Sequence, residues 1–171
     1  MGTTHNDTVP DQDPPPLTDD GHHIVVNGRK WRATDPDIPD ALRKELVAEL
    51  MSARRDVRTD AASARPRVQD AKVALGERGD PWWDPTIDGR RTRLAATMRT
   101  LLRHRDAEAT ICPSDAARVV GGASWRDLMD TARSVAAELA EQGVVVVRQR
   151  GADVDLATAV GPVRLARGSR W

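Results

Sequence analysis

The chain has 171 residues and a mass of 18.7 kDa, with 39% apolar residues, 30% charged residues and a formal net charge of zero. This size fits one ordinary domain or two small ones. The longest apolar run is Val144–Val147, far short of the roughly 20 residues of a membrane span, and no secretion leader is visible. We therefore expect a cytoplasmic protein with no membrane partner.

Aromatic and cysteine usage narrows the options further. Five Trp stand beside no Phe and no Tyr, so any aromatic core or binding surface must consist of indoles. The single cysteine, Cys112, excludes a disulfide framework and a cysteine-based zinc site.

Charge is distributed unevenly along the chain. Residues 1–20 carry five acids, no base and a run of three prolines, whereas residues 87–171 carry fourteen bases and ten acids. This composition predicts a disordered acidic, Pro-rich tail over residues 1–20. Two roles stay open for the tail: it folds back on a basic C-terminal surface, or it only improves solubility.

Structured sequence begins with two short strand-like runs around Asn27-Gly28, a strong hairpin signal. A two-residue turn predicts the cross-strand pairs Ile24–Trp31, Val25–Lys30 and Val26–Arg29. A helix follows, with Asp37 as the predicted N-cap and apolar residues at helical spacing to about Arg58. A second short helix is predicted to start near Pro66 and to stop at Gly76.

Residues 77–85 form a predicted turn that carries two adjacent indoles, Trp82 and Trp83. We expect at least one of them to close a small core, and the other is a candidate anchor for a protein partner.

The C-terminal segment predicts three helices and a ribbon. The first helix covers Arg90–His104; the second begins with Cys112 as N-cap, Pro113 at the first position and Asp115 at the third. A capping box of Ser124 and Asp127 predicts the third helix, from Trp125 to about Gln142, with Gly143 as its stop. Strands are predicted over residues 144–150 and 161–165, with a loop at 151–153.

This order of elements is that of a winged helix. We therefore predict an α+β, mostly helical fold with three segments: the tail (1–20), a β-hairpin plus two helices (21–86), and a winged-helix-like domain with three helices and a β-ribbon (87–171).

Two stretches also resemble known families. Residues 94–167, with Ile111-Cys112-Pro113-Ser114, Trp125-Arg126-Asp127-Leu128-Met129, Gln149-Arg150-Gly151 and Gly161-Pro162-Val163-Arg164, resemble a bacterial winged-helix-like domain family of unknown function. Residues 24–83, with the runs 27–33 and 68–79, resemble a module of actinobacterial proteins that sometimes carry a biopolymer-transporter (Tol) label. The resemblance implies a fold and no assigned activity.

Two functions follow from this fold, and the sequence leaves both open. The first is a protein-interaction module or adaptor that uses Trp82 and Trp83. The second is a DNA- or RNA-binding regulator that contacts phosphates through the ribbon and the first helix. The candidate nucleic-acid-binding residues are Arg126, Arg133, Arg148, Arg150, Arg164 and Arg167, and the first-helix arginines Arg90, Arg91, Arg93, Arg99, Arg103 and Arg105 add to the basic surface. The third helix has two bases and four acids, which disfavours it as a recognition helix.

Few groups suit catalysis or metal binding. Cys112 at a helix N-terminus is a candidate reactive thiol with His104 as the nearest imidazole in the sequence, although a small packed N-cap residue fits it better. His22-His23 lack a matching set of ligands, Gly121-Gly122 is a turn, and Asp153 and Asp155 are turn-formers. We expect no enzyme, no catalytic residue, no metal and no cofactor; the oligomeric state stays open.

Overall fold

The computed structural model describes residues 13–171, so the first twelve residues of the predicted tail lie outside the described residues. The described chain is mixed α/β, with about half of it helical and two small antiparallel sheets. It divides into two compact units, one ending at Ala33 and one running from Thr34 to Trp171. Among residues 13–171, none of the helices combines the length and the apolar character that a membrane crossing requires.

The first unit is built on a hairpin of β1 (His23–Val26) and β2 (Arg29–Arg32). Its register confirms the predicted pairs of Ile24 with Trp31, Val25 with Lys30 and Val26 with Arg29. Asn27 and Gly28 have φ angles of 49° and 74°, the left-handed values that a two-residue primed turn requires.

The second unit contains five α-helices, one 3₁₀ helix and three strands. In chain order these are α1 (Asp40–Asp56), α2 (Ala61–Ala74), α3 (Ile87–His104), α4 (Pro113–Gly121), the 3₁₀ helix (Gly122–Leu128), α5 (Met129–Glu141), β3 (Val145–Gln149), β4 (Ala152–Asp153) and β5 (Arg164–Arg167).

The N-terminal ends of α1 and α2 differ from the prediction. The N-cap of α1 is Pro39 and not Asp37, because the Asp37 N–H donates to the Asp35 carboxylate at 2.9 Å in a preceding turn. Helix α2 begins at Ala61, well before Pro66, because the side chain of Asp60 accepts a hydrogen bond from the Ser63 N–H at 3.2 Å. The side-chain cap of Asp60 therefore decides where α2 starts and places Pro66 inside that helix, whereas α1 starts after Pro39 without a side-chain cap.

The predicted start of α4 is confirmed, whereas the predicted start of the next helix is not. Cys112 is the N-cap of α4, and the Asp115 carboxylate accepts from the Cys112 N–H at 3.0 Å. The predicted capping box of Ser124 and Asp127 is wrong. Residues 122–128 form a 3₁₀ helix, and α5 starts only at Met129, without a side-chain cap. A Cβ at Gly121 would lie 2.9 Å from Leu128 Cδ1, so the tight connection rests on close packing rather than on capping.

The second sheet has the order β4-β3-β5, all antiparallel. Ala152 and Asp153, predicted as loop, pair with β3 because Arg150 and Gly151 (φ 52° and 82°) make a two-residue turn. The returning strand β5 lies at 164–167 rather than 161–165. Ile111, just before α4, forms an isolated bridge with Leu165 and extends the sheet beyond β5.

One hydrophobic core spans the second unit. It combines Leu46 and Leu50 of α1 and Leu75 after α2 with Leu94 of α3 and residues of α4, α5, β3 and β5. Helices α1 and α2 pack against α3 and bury one side of it, and all three belong to the unit from Thr34 to Trp171. The predicted boundary at 86/87 stays a prediction.

Candidate protein-interaction site

The turn between α2 and α3 carries the two adjacent indoles. The rings of Trp82 and Trp83 meet edge to face, with centroids 5.1 Å apart and an interplanar angle of 87°, a favourable arrangement for aromatic pairs. Trp82 is half-buried, whereas Trp83 is 36% exposed. The turn thus uses one indole in packing and presents the other to solvent.

Hydrogen bonds fix this turn to the start of α3. The Asp80 carboxylate accepts from the Thr86 N–H at 2.9 Å and from the Thr86 hydroxyl at 2.5 Å. The Thr86 Oγ1 in turn accepts from the Gly89 N–H at 3.0 Å and caps α3. Because this cap lies before the predicted start at Arg90, α3 is one turn longer than expected.

Two glycines let the turn pack closely. A Cβ at Gly76, where φ is +80°, would lie 3.0 Å from Trp82 Cδ1. A Cβ at Gly89 would lie 2.0 Å from an oxygen of Asp80 and would force the Asp80 side chain to move. The positions of Trp82 and Asp80 therefore depend on glycine at 76 and 89.

The turn encloses a cavity of about 220 Å³. Its apolar walls come from Val73, Trp82, Pro85 and Val120, and polar lining comes from Arg78, Asp80, Thr86, Asp88, Arg90, Thr92 and Arg93, with Gly79 and Gly89 completing it. A dry cavity of about 150 Å³ is large enough to bind benzene. The cavity is therefore of a size to accept one aromatic or branched aliphatic side chain.

Exposed apolar side chains lie next to the cavity in the chain. Ile87 is 78% exposed and stands between Thr86 and Asp88, both of which line the cavity. With Trp83, it leaves two large apolar side chains in water beside a concave site, a combination typical of contact surfaces for other proteins.

The candidate nucleic-acid-binding residues do not form one free basic surface. Arg133 donates to the carbonyl oxygens of Ala159 and Gly161, and Arg167 donates to those of Leu102 and Arg105. Arg148 pairs with Asp153 at 3.1 Å, Arg164 donates to Thr110, and Arg126 lies over the Trp125 ring. Arg150, at the turn of the ribbon, is exposed and makes no ion pair or hydrogen bond within residues 13–171.

The first-helix arginines are mostly neutralised by carboxylates. Arg91 pairs with Glu138, Arg93 with Asp35, Arg99 and Arg103 with Asp70, and Arg105 with Glu45. Only Arg90 has no ion pair in the described part of the chain, and it lines the cavity. These arginines hold α3 against α1, α2 and α5, and they leave little unpaired positive charge on that helix.

The groups considered for catalysis or metal binding stay apart from each other. Cys112 is half-buried as the N-cap of α4, and its thiol forms no disulfide. Asp155 accepts from the Ala157 N–H at 2.9 Å, as a turn-former does. Within residues 13–171, no group of three or more His, Cys, Asp or Glu side chains is arranged to hold a metal ion.

Several residues of the cavity were not identified from the sequence. Arg78, Arg90 and Val120 come from three separate segments, and no spacing signal links them. The Thr86 cap did carry a local signal, because a threonine just before a helical stretch is a favoured N-cap. Gly89 gave none, since the close approach of Asp80 exists only in the folded chain.

Comparison with known families gives a match in the C-terminal half of the chain. The model of a family described as a protein of unknown function (DUF3253) matches residues 91–168, from α3 to just past β5. This supports a domain of unknown function in that half of the chain, as the resemblance of residues 94–167 predicted. No curated protein matches the chain. The Tol-labelled resemblance of residues 24–83 stays a prediction.

Proposed function

We propose that this protein is a non-enzymatic interaction module that binds a protein partner at the Trp82–Trp83 turn. One observation carries the proposal: a cavity of about 220 Å³ with an indole wall opens beside the exposed side chains of Trp83 and Ile87. Concave sites that receive one anchor side chain, surrounded by aromatic residues, supply much of the binding energy in protein interfaces. The partner would insert an apolar side chain into the cavity and cover Trp83 and Ile87.

The charge distribution supports a protein partner over nucleic acid. Binding to DNA gains its affinity from unpaired lysines and arginines that neutralise phosphates. Here Arg91, Arg93, Arg99, Arg103 and Arg105 are already paired with carboxylates. Helix α5, which would enter the major groove, carries three acids and a single base. Both features lower the expected affinity for a polyanion.

The element order supports a winged-helix arrangement for residues 87–168. Helix α3 is followed by the bridge at Ile111, then α4, the 3₁₀ helix with α5, and the antiparallel ribbon of β3 and β5. This is the order of a winged helix with a short first strand. Because winged helices serve in protein contacts as well as in DNA reading, the fold leaves both functions open.

The alternative is a nucleic-acid-binding regulator that uses the ribbon. Arg148 and Arg164 are register partners in β3 and β5, so their side chains emerge on the same face of the sheet. Arg150 adds an unpaired exposed charge at the turn. A ribbon with three arginines would contact phosphates without reading bases.

Photo-crosslinking tests the protein-partner proposal. A photoreactive amino acid replaces Ile87 in one protein and Val160 in a second. Val160 is the matched control, because it is 89% exposed and neither lines the cavity nor neighbours a lining residue in the chain. In nuclease-treated lysate of the native host, position 87 should give discrete protein adducts that position 160 does not give. Adding Trp83→Ala should reduce their yield by roughly tenfold, the loss expected for an interface anchor.

Two results would contradict the proposal. One is the absence of protein adducts at position 87, or identical adducts at 87 and 160. The other is a mobility shift of duplex DNA at micromolar protein that weakens steeply with added salt and is lost in an Arg148→Ala/Arg150→Ala/Arg164→Ala variant. That second result would establish the ribbon as a phosphate-binding element.

A further inference from the structure

Two arginines lie against one indole near the end of α4. Arg118 lies in α4 and Arg126 in the 3₁₀ helix. The guanidinium carbon of each is 4.6 Å from the centre of the Trp125 ring. Trp125 is half-buried and packs on the hydrophobic core, whereas both arginines are exposed. The core thus holds an indole in place, and the indole holds two positive charges at the surface. We refer to Arg118, Trp125 and Arg126 as the Arg-Trp-Arg cluster.

Neither arginine of the cluster has an anionic partner inside residues 13–171. A second indole, that of Trp171, also has two arginines over it, Arg103 at 5.8 Å and Arg167 at 5.3 Å. The guanidinium groups of these two arginines already have partners in the protein: Arg103 pairs with Asp70, and Arg167 donates to the Leu102 carbonyl oxygen. The Arg-Trp-Arg cluster therefore differs from the Trp171 pair in having both of its guanidinium groups available.

The physical consequence is a site arranged for an anion. Stacking on the indole limits the rotamers of both arginines, so that less conformational entropy is lost when they bind a ligand. Two like charges held near one ring repel each other, and a bound anion offsets part of that repulsion. A guanidinium group also matches a carboxylate with two parallel hydrogen bonds.

The surroundings limit the size of the anion. Asp127 and Asp130 follow Arg126 closely in the sequence, and both are exposed. Asp37 lies against Gly122, where an added Cβ would be 2.9 Å from the Cβ of Asp37. These carboxylates disfavour an extended polyanion such as duplex DNA, whose phosphates would approach them. A short acidic segment carries far fewer negative charges than duplex DNA, so these carboxylates repel it less.

We propose that the Arg-Trp-Arg cluster binds an acidic peptide segment of a protein partner. The inference rests on the proposed interaction role, but none of the three residues lines the cavity at the Trp82–Trp83 turn. Either surface can therefore fail its test while the other passes.

Fluorescence anisotropy with a defined probe tests this inference on the full chain. The probe is a short labelled peptide of alternating glutamate and glycine, and the same peptide with glutamine in place of glutamate is its uncharged counterpart. We expect salt-sensitive binding of the glutamate peptide and none of the glutamine peptide. Arg118→Ala/Arg126→Ala should weaken binding by at least about tenfold. Arg118→Lys/Arg126→Lys keeps the charge but loses planar stacking and bidentate geometry, so its loss should be intermediate.

The matched control is Arg54→Ala/Arg55→Ala, which removes the same charge from two exposed arginines of α1. It should change binding by less than about twofold, because it leaves the Arg-Trp-Arg cluster intact. Three outcomes overturn the inference: no binding of the glutamate peptide, an equal loss in the control variant, or tighter binding of duplex DNA than of the peptide with the same dependence on Arg118 and Arg126. The crosslinks at position 87 are scored independently of all three.

Discussion

At the scale of single residues, the role of each arginine depends on its neighbours in the fold. Arg93 is 7% exposed; it donates to the Asp35 carboxylate at 2.8 Å and to the Ala74 carbonyl oxygen at 3.1 Å. Burial lowers the pKa of Arg93, and the charge of Asp35 opposes that effect. The sequence placed Arg93 on a basic surface, whereas the fold makes it an internal link between α3 and the segment before α1.

Removing Asp35 should therefore cost far more than removing a surface carboxylate. Asp35→Ala leaves the Arg93 charge buried without its partner, and we expect a loss of about 3–5 kcal/mol in the free energy of unfolding. Asp153→Ala makes the same chemical change in the exposed pair with Arg148, where we expect about 0–1 kcal/mol. Urea denaturation measures both losses. Equal losses would show that the buried Arg93–Asp35 pair contributes no more to the free energy of unfolding than the exposed Arg148–Asp153 pair does.

At the scale of elements, ion pairs join the helices that the sequence describes one by one. Asp70 on α2 accepts from Arg99 at 2.8 Å and from Arg103 at 2.6 Å, two residues one turn apart on α3. Burial alone would raise the pKa of Asp70, but the hydrogen bonds and charges of the two arginines outweigh it, and the net effect is a lowered pKa. One carboxylate thereby fixes the register between α2 and α3.

This lowered pKa gives a pH dependence with a definite sign. Because the pKa of Asp70 is lower in the folded state than in the unfolded chain, its contribution is complete above the ordinary carboxyl range of about pH 4 and is lost as pH falls through the folded-state value. Asp70→Asn should cost about 1–3 kcal/mol near pH 7. The difference from the unsubstituted protein should shrink below about pH 4.

Urea denaturation at a series of pH values measures this difference. Asp106→Asn is the control, since the exposed Asp106 side chain makes no ion pair or hydrogen bond in the described structure. It should change the free energy of unfolding by less than about 0.5 kcal/mol. A difference for Asp70→Asn that persists unchanged below about pH 3 would mean that Asp70 acts only through packing.

At the scale of the whole molecule, α3 is the central element of the unit from Thr34 to Trp171. Its buried residues include the consecutive sets Ala96-Thr97-Met98 and Thr100-Leu101-Leu102, which together cover most of the circumference of the helix. The hydroxyls of Thr97 and Thr100 donate to the carbonyl oxygens of Arg93 and Ala96 inside the same helix, so both threonines fit an apolar environment. A helix that is buried over most of its circumference needs packing partners on several sides.

Truncation tests this arrangement. A protein consisting of residues 34–171 keeps the whole core of α1 to β5, and we expect it to unfold cooperatively. A protein consisting of residues 87–171 lacks α1 and α2, exposes one side of α3 and removes Asp35 from Arg93. We expect this shorter protein to unfold without a cooperative transition and to bind a dye for exposed apolar surface. Cooperative unfolding of residues 87–171 would instead support the predicted boundary at 86/87.

The sequence alone predicted the elements whose signals are local. The Asn27-Gly28 turn, the Cys112 and Pro113 start of α4 and the stop at Gly143 each follow from the chemistry of one or two residues. Helical spacing located the buried leucines of α1 and α3 in the same way. The predicted cap at Asp37 failed because the segment before α1 folds into a turn in which the Asp37 N–H donates to Asp35. The Asp60 cap of α2 is a local signal, to the Ser63 N–H, that the prediction of a start near Pro66 missed.

For the candidate site, the sequence identified Trp82 and Trp83 but not the cavity. Composition and turn chemistry are local properties, so they determined the mixed α/β class, the absence of a cysteine framework and the presence of an indole-bearing turn. Only the tertiary structure brought Val120 and Arg90 to that turn, paired most of the arginines of α3 with carboxylates, and left Arg118 and Arg126 without a carboxylate partner among residues 13–171. The physical reason is that a charge or an apolar wall acts on what lies within a few ångströms of it, and those neighbours come from distant parts of the chain.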